Sequence, residues 1–225
     1  MIKKNNSSIY SVIDVGTNNI LLLIAKRGAE LEIIARDSAT SALGKNMQQN
    51  YLQQAALQRA KKILAAFISQ SLQYQARIII IGTSCSREAK NIAELSDWLW
   101  DKYRLPYQII SGAEEAYFNG LANQAEFPEA QKLLLFDLGG GSTEFTLLQA
   151  EQILRAESVN IGIRRFESEF GNDYAALKAR VLSLLPTFSA TEKADLTLVV
   201  FELLIHRLFL LYPPLFAHQS VVFLH

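Results

Sequence analysis

Cysteine occurs once in this chain of 225 residues, at Cys85, and histidine three times. One thiol excludes an intrachain disulfide framework and suits a reducing cytoplasm. His218 and His225 have no partners at metal-ligand spacing. His206 lies in an apolar run and reads as a satisfied interior or interface histidine. Lys plus Arg and Asp plus Glu both total 22, so the formal net charge is zero. That balance offers no broad nucleic-acid or membrane-binding surface. There is no low-complexity segment and no secretory leader, because the basic start at Lys3 and Lys4 runs into a strand-like stretch carrying Asp14. Residues 194–212 are apolar but carry Asp195, Glu202, His206 and Arg207. Each charge at membrane mid-depth costs about 2.5–3.5 kcal/mol. That stretch therefore reads as a buried helix, not a membrane span.

Half of the residues are hydrophobic, enough for a substantial core. Residues 10–15, 20–26 and 31–36 read as three strands linked closely enough for antiparallel pairing. Leu52, Ala56, Leu57, Ala60, Ile63, Leu64, Phe67, Ile68 and Leu72 follow helical spacing. Residues 77–82 read as a strand buried on both faces, 86–102 as a helix and 107–110 as a strand. Ser111 and Glu114 have capping-box spacing for a helix beginning near Ala113. The pattern then restarts, with strands over 132–137, 144–148 and 153–159 and a helix over 174–185. Ser189 and Glu192 repeat the capping-box spacing and open a long helix to about residue 211. Pro213 and Pro214 stop it, and 220–224 reads as a last strand. Two α/β lobes follow, 1–125 and 126–225, with a cleft between them and the second lobe shortened.

Each half carries an acidic, glycine-bearing turn between strands. The first runs Asp14, Val15, Gly16, Thr17, Asn18. The second runs Asp137, Leu138, Gly139, Gly140, Gly141, Ser142, Thr143, Glu144. Backbone N–H groups in such turns form nests for anions, and nearby carboxylates can hold Mg²⁺ through water. Gly16, Thr17, Asn18, Gly139, Gly140, Gly141, Ser142 and Thr143 are thus candidate phosphate binders. Asp14, Asp137 and Glu144 are candidate Mg²⁺ ligands, or turn residues bonding their own backbone. Glu115 could take a proton from water attacking phosphorus, or merely favour a helix N-terminus. Arg87 could fork onto phosphate oxygens or be a solvated arginine, and Arg165 is similar. Cys85, between Ser84 and Ser86, reads as a packed thiol. Trp98 and Trp100 read as core or interface.

Together the motifs resemble the exopolyphosphatase/guanosine pentaphosphate phosphatase (Ppx/GppA) family. They are Asp14-x-Gly16-Thr17-Asn18, Gly82-Thr83-Ser84-x-x-Arg87-x-Ala89-x-Asn91, Ser111-Gly112-x-Glu114-Glu115-Ala116, the Asp137–Glu144 turn and Asn160-Ile161-Gly162-x-x-Arg165. Ala194-Asp195 and the apolar run after it resemble a helix of the family's later core. The resemblance implies an α/β acetate kinase/Hsc70/actin-like (ribonuclease H-like) two-lobed fold with a reduced second lobe. It implies Mg²⁺-dependent release of terminal phosphate from inorganic polyphosphate or guanosine penta/tetraphosphate, with Glu115 as catalytic base and Asp137 beside it. Three features depart from the family pattern. Leu21 and Ala42 stand where basic residues are usual, and no Gly-Gly or Gly-Thr pair lies between Arg165 and Ala194. These departures favour polyphosphate over a nucleotide. They also keep open a phosphate-chain-binding module without turnover. The two turns leave a small-molecule kinase as a more distant alternative, against which the Ser111–Ala116 motif and the missing second-lobe turn argue. The apolar face of the long helix after Ala194 predicts a homodimer.

Overall fold

The computed structural model describes residues 8–29, 31–124, 127, 132–149, 152–194, 196–201 and 220–224. By internal contacts the chain divides into two units, Met1–Ile110 and Ser111–His225.

In the first unit β1 (Ile9–Val15), β2 (Asn19–Arg27) and β3 (Leu31–Thr40) form an antiparallel meander. Helix α1 (Gln54–Gln73) follows, then β4 (Arg77–Gly82), α2 (Ser84–Glu88), α3 (Ala93–Tyr103) and β5 (Tyr107–Ile109). The sheet order is β3-β2-β1-β4-β5, with β4 parallel to both neighbours. Alternation decides which side is buried: Ile13, Val15, Ile20, Leu22 and Ile24 pack with Leu57, Leu64 and Ile68 of α1. The expected apolar stripe on α1 is nearly complete, but Leu72 is exposed and Ser71 is buried instead. Ser71 meets Ser11 of β1 at 2.7 Å, and its hydroxyl lies 2.7 Å from the Phe67 carbonyl.

The second unit begins with α4 (Gly112–Gln124) and continues through β6 (Lys132–Leu138), β7 (Thr143–Gln149) and β8 (Gln152–Val159). Helices α5 (Ile163–Phe170), α6 (Tyr174–Leu184) and α7 (Ala190–Lys193) precede β9 (Leu196–Phe201) and β10 (Ser220–Leu224). The sheet order is β10-β9-β6-β7-β8. Renumbered from its first strand, this is the order of the first sheet, so the repeat read from the sequence is a repeat of topology. The shortening read from the sequence leaves that strand order intact. Leu134, Leu138, Phe145 and Leu147 pack on one face with Phe166 of α5. Leu133, Leu135, Leu148 and Val199 pack on the other.

Four expectations change. The boundary falls at Ile110/Ser111 instead of 125/126, because α4 packs on β7 and β8 and joins the second unit. The helix expected over 86–102 is broken. Ala89 is extended, and Asn91 leaves the helix to bond the backbone of Leu52 in both directions, at 2.8 and 3.1 Å. Strand β4 is not buried on both faces: Ile80 is buried whereas Ile79 and Ile81 are half-buried. The capping box at Ser189 and Glu192 forms, but α7 ends at Lys193 and Leu196–Phe201 is a strand parallel to β6. Its β-branched run Thr197, Val199, Val200 suits a sheet position better than a helix. Residues 202–219, with His206, His218 and the two prolines, lie outside the described residues, as do Asp195 and His225. Among the described residues no helix is long and apolar enough to cross a membrane.

Candidate active site

The two glycine turns share one construction. In the first, the Gly16 N–H donates to the Asn19 carbonyl at 3.0 Å; in the second, Gly139 donates to Ser142 at 2.9 Å. Each turn is backed by a later segment that takes its carbonyls. Gly44 N–H donates to Thr17 O at 2.9 Å and Ala42 N–H to Asn18 O at 2.8 Å. In the second unit Ile163 N–H reaches Gly139 O at 3.1 Å and Arg164 N–H reaches Gly140 O at 2.8 Å. Arg165 adds Nε to Gly141 O at 2.8 Å. A trans peptide points its C=O and N–H in opposite directions. With the carbonyls of residues 139, 140 and 141 turned to α5, the N–H groups of Gly140, Gly141 and Ser142 point away from it. Three successive amides facing one way are an anion nest.

The backing segments need glycine. A Cβ on Gly162 would lie 2.5 Å from Gly141 Cα and 2.6 Å from Gly140 O. A Cβ on Gly44 would run into the Thr17 methyl. Leu43 and Ile161, the residues before them, are both buried, so each glycine is pinned to its turn by an apolar anchor.

Side-chain hydroxyls of the second turn are spent within the protein. Ser142 Oγ donates to Glu144 Oε1 at 2.8 Å, and Thr143 Oγ1 donates to Ile161 O at 2.6 Å. Both side chains are buried, so the donors that this turn can present outward are its backbone N–H groups. In the first turn Thr17 is buried and its hydroxyl has no hydrogen-bond partner among the described residues, and Asn18 Nδ2 donates to Asn19 Oδ1 at 3.2 Å. Burial pushes the Cys85 thiol up to about 11, so it is packed and inert, as its position suggested.

Three carboxylates gather in the second unit. Asp137 and Glu144 are direct cross-strand partners, so they share a sheet face. Thr146, on that same face of β7, donates to Ala116 O at 2.8 Å and ties α4 down beside it. Glu115, the residue before Ala116, lies near enough for its charge to act on Glu144. Ser111 caps α4: its N–H donates to Glu114 Oε2 at 2.7 Å, and the Glu114 N–H donates to Ser111 Oγ at 3.1 Å. Glu114 thus anchors the helix start. Glu144 is buried; desolvation, then the negative charge of Glu115 and of Asp137, raise its pKa to about 8. Hydroxyls of Ser142 and Ser158 donating to Oε1 offset only part of this.

A cluster of hard oxygen donors, Asp137 and Glu144 with Glu115 near them, fits Mg²⁺, which binds through one or two carboxylates and keeps waters. Among the described residues no group of three or more His, Cys, Asp or Glu side chains is set to coordinate an ion directly. Asp137 and Glu144 belong to the second unit and Asp14 to the first. Arg87 Nη1 donates to Ile110 O at 3.0 Å, which ties it to the residue before the α4 cap.

Three contributors escaped the sequence reading. Ser158 is the cross-strand partner of Glu144, a register that no motif announces. Gly44 carried a signal, the parallel between Leu43-Gly44 and Ile161-Gly162. Asn119 donates from Nδ2 to Asp137 Oδ2 at 2.8 Å; its signal was a spacing of one helical turn from Glu115.

The profile of the Ppx/GppA phosphatase family matches residues 23–186. The chain is 32% identical over 180 residues to a bifunctional 3-dehydroquinate synthase/phosphatase of Fusobacterium nucleatum subsp. nucleatum. That match takes in 75% of this chain and 27% of the relative, so the chain spans about a quarter of that protein. An exopolyphosphatase from Cytophaga hutchinsonii superposes with a TM-score of 0.69 at 24% identity, over 90% of this chain and 69% of that one. A Bacteroides thetaiotaomicron protein with an actin-like ATPase fold superposes with a TM-score of 0.50 at 12% identity, over 100% and 94% of the two chains. The fold is therefore the actin-like α/β class that the repeated sheets suggested, and on the extent of the family match the chain belongs to the Ppx/GppA phosphatase family.

Proposed function

We propose that the chain is a phosphoanhydride hydrolase that releases terminal phosphate from inorganic polyphosphate. The observation that supports this reading is the cross-strand pair Asp137 and Glu144, with the charge of Glu115 near it, on the unit that holds the three-amide nest. The N–H groups of Gly140, Gly141 and Ser142 bind oxygens of the terminal phosphate. Glu115 accepts the proton of the attacking water and fixes its line of approach. Asp137 and Glu144 would hold Mg²⁺ through water, where the ion supplies charge neutralisation on the phosphate chain. Gly16, Thr17 and Asn18, with Asp14, form a second turn of the same construction suited to phosphate oxygens. Arg87 is a further phosphate-binding candidate. Guanosine penta- or tetraphosphate presents the same phosphate chemistry and is the alternative substrate. The single buried thiol suits a cytoplasmic setting. The homodimer rested on a helical face that is strand β9 over residues 196–201, so it loses that support.

The test is Mg²⁺-dependent phosphate release from polyphosphate by wild type and by Glu115→Gln. Loss of a general base predicts a fall of about 10²–10⁴-fold. Release by wild type no greater than by the variant would overturn the assignment. A second reading, phosphate-chain binding without turnover, is favoured by the exposed Leu21 where the family places a basic residue. Calorimetric binding of a non-hydrolysed phosphate chain without any release would select it.

A further inference from the structure

Along α4, residues 115, 119 and 123 are spaced by four and share one helix face. Asn119 donates from Nδ2 to Asp137 Oδ2 at 2.8 Å. Asn123 Nδ2 in turn donates to Asn119 Oδ1 at 2.8 Å and to the Asn119 carbonyl at 2.9 Å. The two contacts agree on one orientation of the Asn119 amide. A carboxylate only accepts, so the nitrogen must face Asp137, and the oxygen is then the atom offered to Asn123. Helix preference does not account for these residues. Asparagine is a poorer interior helix former than the Ala, Leu, Glu or Gln that would serve a merely structural turn. Hydrophobic packing does not account for Asn119 either, since its side chain meets a carboxylate, Asp137 of β6. What the pair does is hold one oxygen of Asp137 in a fixed direction, one helical turn from Glu115.

We propose that Asn119 is a positioning residue that orients the Asp137 carboxylate for Mg²⁺, and that Asn123 locks the Asn119 amide in its productive orientation. This rests on the phosphohydrolase reading for its purpose, while its first readout is metal binding. Outer partners of metal-holding carboxylates typically contribute about 10–100-fold in metal affinity or activity.

The experiment titrates MgCl₂ calorimetrically into the full chain and into Asn119→Leu and Asn123→Ala, and follows phosphate release from polyphosphate against Mg²⁺ concentration. Asn119→Leu keeps the size of the side chain and removes the donor. Its Mg²⁺ affinity is expected to fall by about 10–100-fold, with most of kcat returning at saturating Mg²⁺. A general loosening of α4 would not produce that split. Asn123→Ala is expected to shift affinity in the same direction by less. Equal Mg²⁺ affinity in wild type and Asn119→Leu overturns the proposal. Should Asn119→Leu unfold, unchanged affinity in Asn123→Ala overturns it. A wild type that takes up no Mg²⁺ also overturns it, yet metal-independent phosphate release would leave the hydrolase reading standing. Asn119-dependent Mg²⁺ binding without any release would sink the hydrolase reading and keep this one.

Discussion

Replacing Gly162 by alanine tests the proposed phosphate nest without substituting any of its residues. The added Cβ would sit 2.5 Å from Gly141 Cα and 2.6 Å from Gly140 O, against an ordinary contact of 3.4 Å or more. Nearly an ångström of separation must therefore open between α5 and the turn. The atoms in the way are backbone, so no side chain can rotate aside. Overpacking of this kind costs about 1–3 kcal/mol, sometimes more. Separating α5 from the turn also strains the bonds from Arg164 and Arg165 N–H to Gly140 O, 2.8 and 3.2 Å long. Each such bond contributes about 1 kcal/mol net. A total of about 3–5 kcal/mol follows, or a fall in melting temperature on the order of 10 °C for a chain of this length. Because the carbonyls of residues 139–141 would lose their backing, the opposing N–H groups would diverge, and affinity for tripolyphosphate is expected to fall more than stability alone requires. Gly44→Ala is the control, since its added carbon meets only the Thr17 methyl. The double change Gly44→Ala with Thr17→Ser removes that methyl and is expected to recover most of the loss. Differential scanning calorimetry and calorimetric phosphate-chain binding read both effects. A Gly162→Ala protein that melts within about 2 °C of wild type, a shift worth less than about 1 kcal/mol, and binds the chain equally would refute the reasoning.

Glu144 predicts a pH effect. Its folded-state pKa is raised from 4.5 to about 8, so its stabilising contribution is full below pH 4.5 and is lost as pH rises through 8. Metal-free Glu144→Gln should therefore melt close to wild type at pH 5 and above it at pH 9, and melting curves that run parallel would discount the burial argument. Ser71→Ala leaves the Ser11 hydroxyl buried without its partner and should cost about 1–3 kcal/mol, while the double change to alanine at both sites should be milder; urea unfolding of the three variants checks the order. Asn91→Ala removes both bonds to Leu52 and should lower stability by about 1–3 kcal/mol without altering Mg²⁺ affinity. Denaturation paired with metal calorimetry would expose any link between that clamp and the site.

Local chemistry made much of the chain readable. Strand alternation at Ile13 and Val15, the glycine turns and the Ser111–Glu114 cap each depend on neighbours in sequence, and each appears where its pattern placed it. What resisted reading depends on distant partners. Asn91 stops a helix because Leu52 offers a bare backbone edge, and nothing between residues 86 and 102 records that. The run Leu196–Phe201 is apolar enough for a buried helix, and only the open edge of β6 makes it a strand. Motifs identified Ser142 and Thr143, but the direction of their hydroxyls follows from Glu144 and Ile161, which pairing brings near. Asn119 carried only its spacing from Glu115, and its partner Asp137 lies on another element, so the bond itself could not be read.

Because α4 goes with the sheet that follows it, the chain's division of labour is uneven. A protease cut between residues 110 and 111 would leave Glu115, Asp137, Glu144, the amide nest and its α5 buttress on a single C-terminal piece. On the proposed reading, the residues that would hold the metal and move the proton are inherited as one piece, apart from the turn that carries Asp14.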